Sequence, residues 1–371
     1  DEQLAALELK FLKYRGETKK SDVIIAAPHG IMKKPLNEEF CKLPITDAFI
    51  KNLSANNYND TARPDCRFDW TSGAVTVTAP MGGKYQATKE ESFSCKIPAG
   101  GKSTNTVTAM SVGSASKITA VSPFHGAAFS IMESISKIVA SGGNSLDVKL
   151  ALCEHFIDPA TAPIKWSEPV GAMLGAFEAQ VSMGLPVVDN TVSIESVGNF
   201  KSAFTFASFA VASAKSNEII SASFKNPDSS VLLIPMPIVP KTGMPDFDKA
   251  KVLYRQFHYL SQSSKIISAS VVKEGGAAAA VAKMSFGNRI GFEFQTADFD
   301  TLFGDNVASI IVETQTPGAF SGMDTVLLGK TRREEYFIFD GKKIPINDAY
   351  AAYSKNNEKG YYRIFAKNVT M

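Results

Sequence analysis

The sequence predicts an α/β protein built as two units in series. Three observations carry this. Amphipathic or apolar stretches of helical length alternate with short β-branched and aromatic runs, the pattern that pairs helices with sheets. The pattern restarts after about Lys215, where a second series of strands and helices begins. No short-period repeat or low-complexity segment interrupts either series. The implied division is a leader over 1–64, a first unit over 65–215, a second over 216–345 and a C-terminal helix and tail over 346–371.

The leader opens with "DEQLAALELKFLKYR", in which Leu4, Leu7, Phe11 and Tyr14 form a stripe at helical spacing. That stripe reads as a docked helix and not as a signal peptide. A second short helical pattern is set off by Asn-rich stretches such as "NLSANNYND". The chain begins without Met, so it is either processed or a segment of a longer one.

In the first unit, "GAVTVTA" (73–79) and "TNTVTAMSVG" (104–113) alternate at period two, as half-buried strands do. "HGAAFSIMESISKIVASGG" is a helix with Ile131, Ile135, Ile138 and Val139 on one face, stopped by Gly142-Gly143. "LDVKLAL" is a buried strand. "SEPVGAMLGAFEAQVSMG" is a second helix, with Ser167 as its expected N-cap and Pro169 in its first turn. It leads into an apolar strand, Leu185 to Val188, and then a polar turn, Asp189-Asn190-Thr191. "AFTFASFAVA" closes the unit as a strand.

In the second unit, "SSVLLIPM", "KIISASVV", "RIGFEF", "ASIIVET", "DTVLLGK" and "EYFIF" read as strands. "DFDKAKVLYRQFHYLSQ" and "GGAAAAVAKMSFGN" read as helices. "PINDAYAAYSKN" is a short terminal helix with Asn347 as a candidate cap.

Composition narrows the functional classes. A net charge of +2, with no basic run interleaved with aromatics, gives no electrostatic case for nucleic acid. The longest apolar runs are too short to span a bilayer. The four cysteines, Cys41, Cys66, Cys95 and Cys153, are scattered without a CxxC pair. They read as unpaired thiols, which fits a reducing cytoplasmic setting and neither a disulfide framework nor a zinc site.

Several stretches resemble a known family when taken in order: "RFDWTSGAVTVTAPMGGKYQATKEES", "TAMSVGSASKITAVSPFHGAAFSIMESISKIVASGGN", "GAMLGAFEAQVSMGLPVV", "FTFASFAVASAKSNEIISASFK" and "GGAAAAVAKMSFGNRIGFEF". They are similar to the second synthetase half of the large single-chain phosphoribosylformylglycinamidine synthases, over roughly residues 60–350. "DTVLLGKT", with the strand and short helix after it, resembles the segment before that enzyme's glutaminase. The resemblance implies an A-type domain whose mixed sheet forms a dimer-like interface, followed by a B-type α/β domain. It implies an ATP-dependent carbon–nitrogen ligase of purine synthesis, using glutamine-derived ammonia, with ATP or ADP and Mg²⁺ as ligands. It also implies a first synthetase half and a glutaminase domain or subunit as partners, or a homodimer of this chain alone. The family's catalytic His motif belongs to the first half, so no catalytic residue is assigned. The same fold with a decayed nucleotide site, acting only as a scaffold, is the alternative.

The resemblance also marks candidate residues. Where the family has a glycine-rich phosphate turn, this chain has Asp189, Asn190, Thr191, Val192 and Ser193. Asn tolerates the left-handed region at a cost on the order of 1 kcal/mol. A carboxylate about 5 Å from a phosphate is repelled by roughly 3 kcal/mol at a dielectric near 20. Asp189 therefore either marks a decayed turn or holds a bridging Mg²⁺. Glu133 resembles a magnesium-binding glutamate, yet Lys137 one turn on equally makes it half of an ordinary helix ion pair. His125, before the same helix, is an anion-site candidate or a satisfied structural histidine. Lys84, after two glycines but outside the P-loop spacing, is a weak phosphate candidate. Asp69 in "RFDW" matches a family aspartate or is an exposed loop acid. In "VVKEGG", Glu274, Gly275 and Gly276 keep part of a family motif, while Val271 replaces an acidic position.

Overall fold

The computed structural model describes residues 6–9, 23–26, 41–55, 71–102, 104–157, 163–195, 204–304 and 306–355. Asp69, Cys66 and most of the leader stripe (Leu4, Phe11, Tyr14) lie outside the described residues.

Two mixed sheets and the helices between them make an α/β fold. After α1 (Ile45–Leu53) come the short β1 (Thr76–Thr78), the pair β2 (Met81–Gly82) and β3 (Thr88–Lys89), β4 (Phe93–Lys96) and β5 (Thr106–Gly113). Helices α2 (Ser116–Val121) and α3 (Pro123–Ala140) follow, then β6 (Lys149–Ile157), α4 (Ser167–Met183), β7 (Val187–Glu195) and β8 (Thr205–Lys215). The first sheet has the order β1-β4-β5-β8-β6-β7. Its pairs are antiparallel except β6–β7, which α4 connects as a βαβ crossover.

The second series comprises β9 (Ser230–Ile234), α5 (Phe247–Gln262), β10 (Ser268–Val271), α6 (Gly276–Phe286), β11 (Gly291–Phe294), α7 (Phe299–Phe303) and β12 (Ile310–Thr314). It ends with β13 (Val326–Arg332), β14 (Tyr336–Phe339), β15 (Lys342–Pro345) and α8 (Ile346–Ser354). The order of this sheet is β10-β12-β9-β13-β11-β14-β15, with β11–β14 its parallel pair. Among the described residues no helix is long and apolar enough to cross a membrane.

Helix α3 organises the molecule. Its apolar spacing predicts one buried face, but residues His125 to Ala140 are buried all round. The helix lies against β5 and β8 on one side and meets the second unit on the other. Its serines make this burial tolerable: Ser130 Oγ donates to Gly126 O (2.7 Å) and Ser136 Oγ to Ala308 O (2.7 Å). Gly113 lets β5 come close, since a Cβ there would sit 2.0 Å from Ser130 O. Gly142, at φ +95°, supports the expected stop at Gly142-Gly143.

Three local expectations change. The polar turn at 189–191 is instead the middle of β7, because Asp189, Asn190 and Thr191 pair in parallel with Ala151, Leu152 and Cys153 of β6. Ser167 is the first helical residue of α4 and not its cap. Its hydroxyl instead accepts from Ala26 N (2.8 Å) and donates to Ile24 O (3.2 Å). Pro345, not Asn347, precedes α8. Strands β2, β3, β4 and β15 are too short for periodicity to announce.

Candidate functional site

Charged residues meet around a cavity of about 210 Å³ between α3 and the β10–α6 segment. Its walls come from the β5–α2 corner (Ser114, Ser116), α3 (Glu133), the β10–α6 loop (Lys273, Glu274) and α6 (Lys283).

The β5–α2 corner turns its backbone toward α3. Ser114 N donates to Glu133 Oε2 (3.1 Å), and Ala115 N donates to Ser130 Oγ (2.9 Å). Ser116 Oγ donates to Glu274 Oε1, which also accepts from Lys117 N (3.2 Å). Lys137 Nζ lies 2.5 Å from Glu133 Oε1 and donates to Val112 O (2.5 Å). Burial holds the Lys137 ammonium below the ordinary lysine range, with the Glu133 charge opposing that shift.

A second pair stands beside it. Glu91 Oε1 accepts from Ser270 Oγ (2.6 Å) and Val271 N (3.1 Å), while Oε2 meets Lys273 Nζ at 2.9 Å. Burial pushes the Glu91 carboxyl up, but Lys273, Lys137 and the Ser270 hydroxyl outweigh it and hold the group at about 2. Burial likewise opposes the Lys273 charge, and Glu91 and Glu133 carry it above the ordinary range. Lys283, at the inner wall, is pushed down to about 7 by burial and then by Lys273. Neighbouring Glu90 goes the other way, raised to about 7 by burial although Ala222 N donates to it (2.8 Å).

Magnesium does not fit these residues. Glu133 and Glu91 each already face an ammonium, which supplies the positive charge that a hard cation would bring. Among the described residues no group of three or more His, Cys, Asp or Glu side chains converges as a metal site. The other expected ligand, Asp189, is remote. It falls in register with Ala151, Phe209 and Val112 across β7, β6, β8 and β5. Three strand spacings put it roughly 14 Å from β5. It also shares the open face of the sheet with Phe209 and Val112, whereas Glu133 lies on the side covered by α3.

The other expected residues scatter. Asn190 and Ser193 lie on β7, where Ser193 Oγ is 3.3 Å from His155 Nδ1. Backbone N–H groups of a strand point along its edges and do not converge on an anion, so the expected phosphate turn is absent. Lys84 is exposed on the turn before β3, its N–H bonded to Asn288 Oδ1 (2.8 Å) and its Nζ 5.6 Å from the Tyr85 ring. His125 is buried and satisfied, between Ser122 Oγ and Thr242 O at 2.8 Å each. Burial lowers its pKa, with the Thr242 contact opposing. Of the residues singled out by sequence, Glu133, Lys137 and Glu274 belong to the charged cluster.

Sequence reasoning did not find Glu91, Lys273 or Lys283. Glu91 sits in the polar run "KEES", which reads as surface. Lys283 did carry a signal, as a lone ionisable residue in the otherwise apolar "AAAAVAKMSF".

No protein-family model and no curated protein sequence matches the chain. Solved structures do. Phosphoribosylformylglycinamidine synthase II from Thermotoga maritima is 12% identical over 84% of this chain and 53% of its own, with a TM-score of 0.59. T. maritima PurL complexed with ATP is 13% identical over 66% of this chain and 44% of its own, at 0.55. AaThiL, from Aquifex aeolicus, complexed with AMPPCP and TMP, is 10% identical over 69% of this chain and 88% of its own, at 0.51. The chain thus spans about half the length of the PurL structures it resembles. At these identities the likeness is one of architecture: the chain shares its α/β fold with these PurL and ThiL structures.

Proposed function

We propose that this chain is the second synthetase-like half of a phosphoribosylformylglycinamidine synthase-type assembly, and that it acts there as a non-catalytic partner half. The observation that carries this reading is the open face of the first sheet. On the side away from α3, Met110, Val112 and Phe209 remain 40%, 44% and 45% exposed. Large apolar side chains clustered on a sheet face mark an interface. A first synthetase half is the occupant that fits the reading.

The charged cluster supports the non-catalytic part of the proposal. A cavity of about 210 Å³ is smaller than the roughly 300–1,000 Å³ of small-molecule sites. Of its two carboxylates, Glu133 is paired with Lys137, and Glu274 is held by Ser116 Oγ and Lys117 N. The competing reading, an ATP-using ligase half, draws on the PurL structures described with ATP, ADP and AMPPCP. It is favoured by the lysines facing the cavity.

Sedimentation of the chain alone and mixed with a separately produced first synthetase half tests the assembly. A 1:1 complex that Phe209→Glu abolishes is expected. Strictly monomeric behaviour of both proteins in the mixture refutes the partner role. Calorimetry with ATP, with and without Mg²⁺, separates the two readings: no heat supports the non-catalytic half, and saturable binding supports the ligase half.

A further inference from the structure

Helix α4 packs with its sides reversed. Its buried face is made mostly of small residues, Gly171, Ala172, Gly175, Ala176 and Ala179, packed mainly on α3. Gly175 allows the closest approach, since a Cβ there would meet Phe124 O at 1.8 Å. The large apolar residues point outward: Met173, Leu174, Phe177 and Val181 are all exposed, Phe177 by 60% and Val181 by 58%. With half-buried Val170 they fall within an arc of roughly 100° on the helix, the width of a stripe that normally faces a core. Inward, α4 packs on α3 and reaches α5 of the second series, while its outward apolar stripe stays exposed.

The stripe has a flank of definite chemistry. Glu178 and Ser182, next along the helix surface, form one wall of a groove of about 630 Å³. Phe124, Met244 and Phe247 supply an apolar floor, with Asp246 and Asp248 opposite and Lys241 as the single lysine of the lining. Asp246 and Asp248 also meet Lys249 (3.0 Å) and Lys251 (2.8 Å) through i,i+3 contacts at the surface, which are weak and readily exchanged. Glu178 has no ion-pair partner among the described residues. At the other end of α4, Ser167 holds the segment 23–26, which adds exposed Val23, Ile24 and Ile25.

We propose that this surface docks an amphipathic helix of a partner protein. The partner's apolar face would cover Met173, Leu174, Phe177 and Val181, one large side chain would enter the groove over Phe124 and Phe247, and a basic flank would face Glu178, Asp246 and Asp248. The surface lies on the helical side of the first unit, away from the open sheet face, so this inference stands independently of the proposed assembly.

The test uses the full chain and two fluorescein-labelled 18-residue peptides, an amphipathic Leu/Lys helix and its Leu/Glu counterpart, followed by anisotropy at physiological ionic strength. Saturable binding of the Leu/Lys peptide is expected, with the Leu/Glu peptide at least ten-fold weaker. Phe177→Glu should weaken binding at least ten-fold and Glu178→Lys about three-fold, with thermal midpoints unchanged because both residues are exposed. Equal binding of the two peptides, unchanged binding to Phe177→Glu, or no saturable binding to the unaltered chain overturns the proposal. So does self-association that Phe177→Glu removes, since the occupant would then be a second copy.

Discussion

Lys273 Nζ lies 2.9 Å from Glu91 Oε2, joining residues 182 positions apart and tying the entry of β4 in the first unit to the end of β10 in the second. Ser270 Oγ and Val271 N saturate the other carboxylate oxygen, so Glu91 is satisfied where it is buried, while Lys273 stays partly exposed. Removing one partner leaves the other as an uncompensated buried charge, which typically costs about 3–5 kcal/mol. Lys273→Met should therefore destabilise strongly, and the double variant Lys273→Met/Glu91→Leu should recover much of the loss. Urea unfolding of the four proteins in a double-mutant cycle measures the coupling, and additive losses would disprove it.

The same carboxylate sets an acid limb. Its folded pKa, about 2, lies below its ordinary 4.5, so its contribution is present above pH 4.5 and lost as pH falls toward 2. Thermal midpoints between pH 5 and 2.5 should fall more steeply in the wild type than in Glu91→Gln. Parallel curves would refute the assignment.

Lys283 acts with the opposite sign. Its folded pKa is about 7 and its ordinary value 10.5, so between these values the unfolded chain binds more protons and stability rises with pH. Lys283→Met should raise the thermal midpoint near pH 7, because it removes the desolvation cost of the ammonium. The advantage should shrink toward pH 10. Glu90, raised to about 7, adds a separate slope, with stability lost as pH rises from 4.5 through 7, and Glu90→Gln should flatten it.

Lys137 occupies the place of a countercharge to Glu133, so replacing it should create a demand for another cation. Lys137→Asn should destabilise by about 3–5 kcal/mol and regain part of that with millimolar Mg²⁺. The wild type should show no magnesium-specific shift against NaCl of matched ionic strength. Differential scanning calorimetry of both proteins decides this, and a shift in the wild type would contradict the internal ion pair.

Asp189 is exposed on an edge strand, and its substitution should matter little. Asp189→Asn should change stability by less than about 0.5 kcal/mol, and Asp189→Gly should lose roughly 0.5–1 kcal/mol from strand entropy. Neither should gain affinity for ATP in calorimetry. A gain in the glycine variant would restore the idea of a phosphate turn.

Much of the architecture was legible in the sequence because periodicity and glycine placement act locally. The helix ending at Gly142-Gly143 and the strands read at 104–113 and 203–212, observed as Thr106–Gly113 and Thr205–Lys215, follow from residues within one or two turns of each other. Asp189-Asn190-Thr191 misled for the same reason. Three polar residues in a row read as a turn, but the β6 ladder beside them supplies hydrogen bonds that make the segment a strand. The charged cluster lay further beyond reach. Whether Glu91 is a surface acid or a buried anion depends on a lysine 182 residues away, and whether Glu133 holds a metal depends on how deeply Lys137 is buried beside it. By itself the sequence determined the long helices and the longer strands, since those preferences are local free energies. Only the tertiary structure decided which charges neutralise one another and which apolar faces stay open, because desolvation and Coulomb energies depend on distances through space that no spacing along the chain encodes.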